Sequence, residues 1–161
     1  MGWDEFSKNY KDRLNNNEPA GKVIAEEYDD AIKGGISKLG GKFLLGNKSG
    51  LESALITSFN SMGAIPFPTE LVKGITAYWL GGVYAYIPLL GFLPTSAPIV
   101  LGTVPPLVLP IPSNLEFADA LVKLVFKPHL LTVNATASTL SVPPVLIPDV
   151  GFVVKNNKNN A

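Results

Sequence analysis

Cysteine is absent and histidine occurs once, which excludes disulfides, thiolate nucleophiles and the common structural zinc sites without deciding the compartment. Charge is scarce as well: charged side chains make up 16% of the residues, against a typical quarter, and 13 basic residues cancel 13 acidic ones. No global field therefore favours nucleic acid or an anionic membrane, and a low net charge favours association. Neither GxSxG nor HExxH occurs. The opening, MGWDEFSKNYKDRL, has no apolar run of the kind a secretory signal needs, and Phe6 stands where a myristoylation pattern needs Ser or Thr.

What the chain has instead is apolar length. From Gly74 to Leu115 there are 42 residues without a charged side chain. The first part, to Tyr86, reads as one continuous helix. The remainder carries Pro88, Pro94, Pro98, Pro105, Pro106, Pro110 and Pro112, a density that neither a helix nor a central strand accepts, because each ring fixes φ and removes a donor. That half is expected to be extended.

Ahead of it, Trp3, Phe6, Tyr10 and Leu14 recur at helical spacing and predict a helix over 3–14, ended by Asn15, Asn16 and Asn17. Pro19 suits the first turn of a second helix to residue 33, with Ile24, Tyr28, Ala31 and Ile32 on one face. Six glycines in 34–50 predict a loop with apolar anchors at Ile36, Leu39, Phe43, Leu44 and Leu45. Gly41, Gly46, Lys48 and Ser49 imitate a phosphate loop, but the inserted Asn47 puts the backbone cradle out of register. A third helix opens at Ser49 or Gly50, with Leu51, Ala54, Leu55, Ser58, Phe59 and Met62 sharing a face, and Gly63 ends it. A fourth is capped by Thr69, with Glu70 in its first turn.

Ser113 and Glu116 stand at capping-box spacing before a fifth helix over 114–126, stopped by Pro128. Alternation from Leu131 to Leu140 is strand periodicity. TVPPLVLP at 103–110 and SVPPVLIP at 141–148 match in residue type at all eight positions, which suggests two equivalent extended arms. The fold class expected is α+β: a helical lobe over 1–87, then a proline-rich extended or β region over 88–154 with one further helix, and a disordered polar tail over 155–161.

Catalytic groups do not converge. His129 has no nameable partner, so it reads as a structural histidine rather than a base or ligand. Glu26, Glu27, Asp29 and Asp30 point around one helix instead of towards a cation, so a solvated face is expected. Basic residues are not interleaved with Tyr78, Trp79, Tyr84 and Tyr86, which argues against stacking on nucleic acid.

The chain opens with WDEFSKNYKDRL followed by GKVIAEEYDDAIKGG, then carries AYWLGG ahead of proline-punctuated apolar stretches, and closes on a polar stub. This layout resembles that of small virion structural proteins of large tailed bacteriophages. The resemblance covers most of the chain and implies a tail, baseplate or neck component, assembled in the host cytoplasm in symmetric copies. No functional residue carries over from it.

The sequence thus leads to a non-enzymatic structural subunit whose partners are other copies of itself and other virion proteins. No cofactor, metal, small-molecule substrate or nucleic acid is expected. The candidate interface residues are Trp79, Tyr84, Val104, Leu107, Val108, Val145, Leu146 and Ile147. Aspartate at Val104 or Leu107 is expected to impair assembly more than folding of residues 1–87. The alternative is a membrane protein spanning with residues 71–93, of which only Lys73 is charged.

Overall fold

The computed structural model describes residues 2–80, 82–86, 99–100, 102–138, 142–143 and 145–156. Its architecture is α+β. Helix α1 (Trp3–Asn15) and helix α2 (Ala20–Lys33) form as the apolar spacing predicts, with Pro19 as the N-cap of the second. Helix α2 is the centre of the molecule. Nine of its residues are buried, because α1 and helix α3 (Lys48–Asn60) both pack against it. Gly21 makes the second contact close: a Cβ there would stand 3.0 Å from Ile56 Cγ1. Helix α4 (Phe67–Trp79) packs along α3, where a Cβ on Gly74 would meet Leu51 Cδ1 at 2.8 Å.

The glycine-rich segment is more ordered than a loop. It contains strand β1 (Ile36–Ser37) and strand β2 (Lys42–Leu45). At three of its glycines an aromatic ring lies directly on the backbone: a Cβ built on Gly35 would fall on Phe152, on Gly41 on Tyr84 and Tyr86, and on Gly46 on Tyr78. That packing, and not a phosphate cradle, accounts for these three, while Gly40 takes a positive φ of 88°. Asn47, the residue out of register for a phosphate loop, is the N-cap of α3 and accepts from the Gly50 N–H at 2.9 Å.

Helix α4 differs from its sequence reading at both ends. Pro66 is its N-cap and Pro68 lies in its first turn, so Thr69 is inside the helix. It stops at Trp79, where Leu80 turns to extended backbone, and the chain returns as strand β3 (Val83–Ala85), antiparallel to β2. Gly82 permits this by giving the Phe43 ring room against the backbone. A single helix over 71–93 is thereby excluded, with residues 87–93 lying outside the described residues. No helix among the described residues is long and apolar enough to cross a membrane.

Strand β4 (Ile99–Val100) is one edge of a sheet whose centre is strand β5 (Asn134–Ser138) and whose other edge is strand β6 (Leu146–Val150), all antiparallel. Pro148 is accommodated because β6 is an edge strand with one side unpaired in the sheet. Between β4 and β5 lies a helical rod: helix α5 (Phe117–Leu121), a π-turn (Val122–Phe126) and helix α6 (Lys127–Leu130). It begins at Phe117 with Glu116 as N-cap, so Ser113 forms no capping box. Nor does it end at Pro128. The widened turn, in which the Lys127 N–H bonds the Val122 carbonyl, makes room for a ring that an ordinary α-turn would crowd.

Strand β7 (Phe152–Val153) pairs antiparallel with β1. Just beyond it, the Lys155 and Asn156 carbonyls accept from the first two N–H groups of α1, at 3.0 and 2.8 Å. Residues 155 and 156, expected in the tail, are therefore held in the fold, and 157–161 lie outside the described residues. One hydrophobic core runs from Trp3 to Val154 and draws on both sides of the expected 87/88 boundary. Trp3 stacks on Phe126 with ring centroids 5.6 Å apart.

The two VPP copies are not equivalent. In the first, Val104 packs against the core and Leu107 is buried at 3% exposure. In the second, the matching Val142 is 97% exposed and Val145 is also exposed, and the copy ends within β6.

Candidate interaction surface

Three of the sequence-predicted interface residues lie inside the chain's own core. Trp79 packs on Phe43 and donates its indole N–H to the Tyr28 hydroxyl at 2.9 Å, Tyr84 packs on Phe43 and Phe152, and Leu107 is enclosed. Burial takes them off the surface, so aspartate at Leu107 acts on folding first. The other five divide by degree. Val108, at 71%, Val145 and Leu146 are exposed, whereas Val104 and Ile147 are half-buried.

The buried polar groups serve structure. Asp29 accepts from the Tyr78 hydroxyl at 2.8 Å and from Lys33 Nζ at 2.7 Å. Asp149 accepts from the Tyr86 hydroxyl at 2.6 Å and the Leu39 N–H at 3.1 Å. Glu27 is held by Arg13 and Asn9, both at 3.0 Å, and the same guanidinium reaches Glu18 and Glu26. The acidic run on α2 is thus not a uniformly solvated face, since Glu27 and Asp29 are buried with partners. Asp30 stays exposed, and partial desolvation followed by the charges of Glu27 and Asp29 pushes its carboxyl above the usual range. No group of His, Asp or Glu able to hold a metal ion occurs among the described residues. His129 is buried, with its ring edge-on to Trp79 at 5.9 Å.

The surface that remains is apolar. Helix α3 ends at Asn60, two residues before Met62, so Met62 falls on a turn with φ of 55° and is 97% exposed. Beside it, Phe59 divides two grooves. One, about 440 Å³, lies between the start of α2 and the end of α3 and is lined by Pro19, Gly21 and Ile56. The other, about 360 Å³, lies between the end of α3 and the start of α4; Ile65, Pro66, Phe67, Pro68 and Leu109 line it with Phe59. Phe59 and Phe67 are 5.3 Å apart between centroids, and Phe117 and Tyr10 continue the aromatic row. None of the residues lining either groove is charged.

A second apolar area is the outer face of β6, where Leu146, Pro148 and Val150 are exposed while Asp149 faces the core. Leu44 and Leu45 of β2 and Leu80 after α4 are exposed as well. Sequence reasoning placed Phe59 and Met62 on the inward face of α3. The polar Asn60 and Ser61 at that point are the signal that the helix ends before Met62 can turn inward.

A third cavity, about 230 Å³, is lined by Trp3, Lys127, Leu130 and Phe152 among others, where the chain's two ends meet. Its lining offers no convergent polar groups that would orient a substrate. No family model, curated protein or solved structure matches this chain.

Proposed function

We propose that the chain is a non-enzymatic structural subunit of a symmetric assembly, contacting neighbours through exposed apolar surface. The observation that carries this reading is the uncharged groove pair around Phe59, flanked by exposed Met62, Val108 and Leu109. Large apolar side chains grouped around a groove mark a place that another protein covers. The buried carboxylates support the same reading, since Asp29, Asp149 and Glu27 are engaged in holding elements together. The layout resemblance gives the setting: a component of a tailed-phage virion, in tail, baseplate or neck, with copies of itself and other virion proteins as partners.

Light scattering after size-exclusion chromatography, over a wide range of concentration, tests it. A discrete species heavier than the 17.2 kDa chain is expected. A monomer at every concentration, or protein recovered only from membranes in detergent, would overturn the reading.

A further inference from the structure

Among the described residues, strand β6 pairs on one side only, with β5, and no further backbone hydrogen bond reaches Leu146, Pro148 or Val150. In an antiparallel ladder, residues turn their N–H and C=O groups alternately towards the partner strand and away from it. Pro148 has no N–H to give, so its nitrogen takes the outward place. By alternation, Leu146, Pro148 and Val150 all present their main chain to the open edge, and their side chains are exposed as well. Such an edge is a template for another strand. No charge stands on the exposed face to repel one, because Asp149, the one charged residue of β6, is 1% exposed and accepts from the Tyr86 hydroxyl and the Leu39 N–H. Nor does a bulge twist the edge away, since the register with β5 is unbroken from Leu146 to Val150. What is left to guard it is the proline.

We propose that Pro148 is the residue that keeps β6 from pairing with β6 of a second copy of this chain. In that pairing, antiparallel about Pro148, Leu146 of one chain would face Val150 of the other. The prolines would meet at the centre, carbonyl against carbonyl, with no donor between them. A carbonyl enclosed without a donor forfeits the hydrogen bond it makes to water, so the new ladder is interrupted where it would have to close. Contacts between copies are thereby left to side chains, and an uncharged, exposed sheet edge is carried without continued strand addition.

Pro148→Thr restores the donor with a residue that suits a strand. In light scattering after size-exclusion chromatography, this variant is expected at about twice the mass of the unsubstituted chain's species or more. A new intermolecular-strand component in the amide I infrared band should accompany the shift, with the melting temperature unchanged. Adding Val150→Lys, which puts a charge on the same edge, is expected to reverse both. Pro148→Thr that elutes with the unsubstituted chain at every concentration overturns this role for Pro148. So does association that Val150→Lys leaves in place, or that comes with a lowered melting temperature, since it then arises from unfolded chain. The reference is the unsubstituted chain's own species, monomer or oligomer, so the result is separable from that of the assembly reading.

Discussion

Tyr78 and Asp29 stand 49 residues apart in sequence and meet in the core, the Tyr78 hydroxyl donating to the carboxylate at 2.8 Å. One step along each helix, Trp79 donates to Tyr28 at 2.9 Å. The AYW and EYDD segments are therefore two halves of one polar lock between α4 and α2. Tyr78→Phe leaves Asp29 with Lys33 as its remaining charged partner, and a lost hydrogen bond to a charged group destabilises by about 1.5–3 kcal/mol. Urea denaturation should show a lower midpoint with an unchanged slope.

Alkaline pH should unfold the protein through its tyrosines. Burial, joined by Asp29 for Tyr78 and by the hydrogen bond to Asp149 for Tyr86, holds Tyr28, Tyr78, Tyr84 and Tyr86 well above the ordinary value of 10.0. The folded state keeps these protons where the unfolded state releases them, so the unfolded chain binds fewer protons as pH rises through that value. Their contribution is full below about pH 10 and declines above it. Tyrosinate absorbance and circular dichroism should change together in one cooperative step.

Arg13 is expected to outweigh the other surface cations. It joins Glu18, Glu26 and Glu27 from the end of α1, and Glu27 is 6% exposed, so Arg13→Ala leaves a buried carboxylate without its cation, though still bonded by the Asn9 amide. A loss of about 1–3 kcal/mol is expected, with Arg13→Lys recovering only part because an ammonium lacks the planar fork. Lys8→Ala, which breaks an exposed pair with Asp12, is the control and should be near neutral in thermal denaturation.

Neighbouring residues of the first VPP copy should behave oppositely. Leu107→Asp places an unpaired charge at a position 3% exposed and should cost about 3 kcal/mol or more, read as a lowered melting temperature. Val108→Asp, at 71% exposure, should leave melting unchanged while reducing association in light scattering.

Gly46→Ala should destabilise by overpacking, because its Cβ would fall on the Tyr78 ring; about 1–3 kcal/mol is expected from denaturant titration.

The helices were legible where one apolar stripe recurred without competition, as with Trp3, Phe6, Ile24, Tyr28 and Leu51. They were misread where a tertiary partner decided. Nothing local in WLGGVYAY tells a helix from a helix end followed by a strand; the Phe43 ring on Gly82 does that, and Phe43 is remote in sequence. Pro128 reads as a stop because its missing donor is a local fact, while the widened turn ahead of it is a property of the packed rod. The same limit applies to the candidate interface. Composition identified apolar proline-rich chain, but Leu107 and Val108 are indistinguishable by type and opposite in burial. Only the packed body separates them.

The closure of the N-terminal helix on Lys155 and Asn156 bears on the order in which the chain folds during synthesis. The first two N–H groups of α1, the face of Gly35 and one side of Trp79 are all completed by residues after Gly151. During synthesis α1 and β1 are thus without their final partners until residues 152–156 have been made. Contacts of such separation form late and slowly, after loop-closure entropy has been met. Among the described residues, the strand that seats the first helix is thus the one that stands furthest from it in sequence.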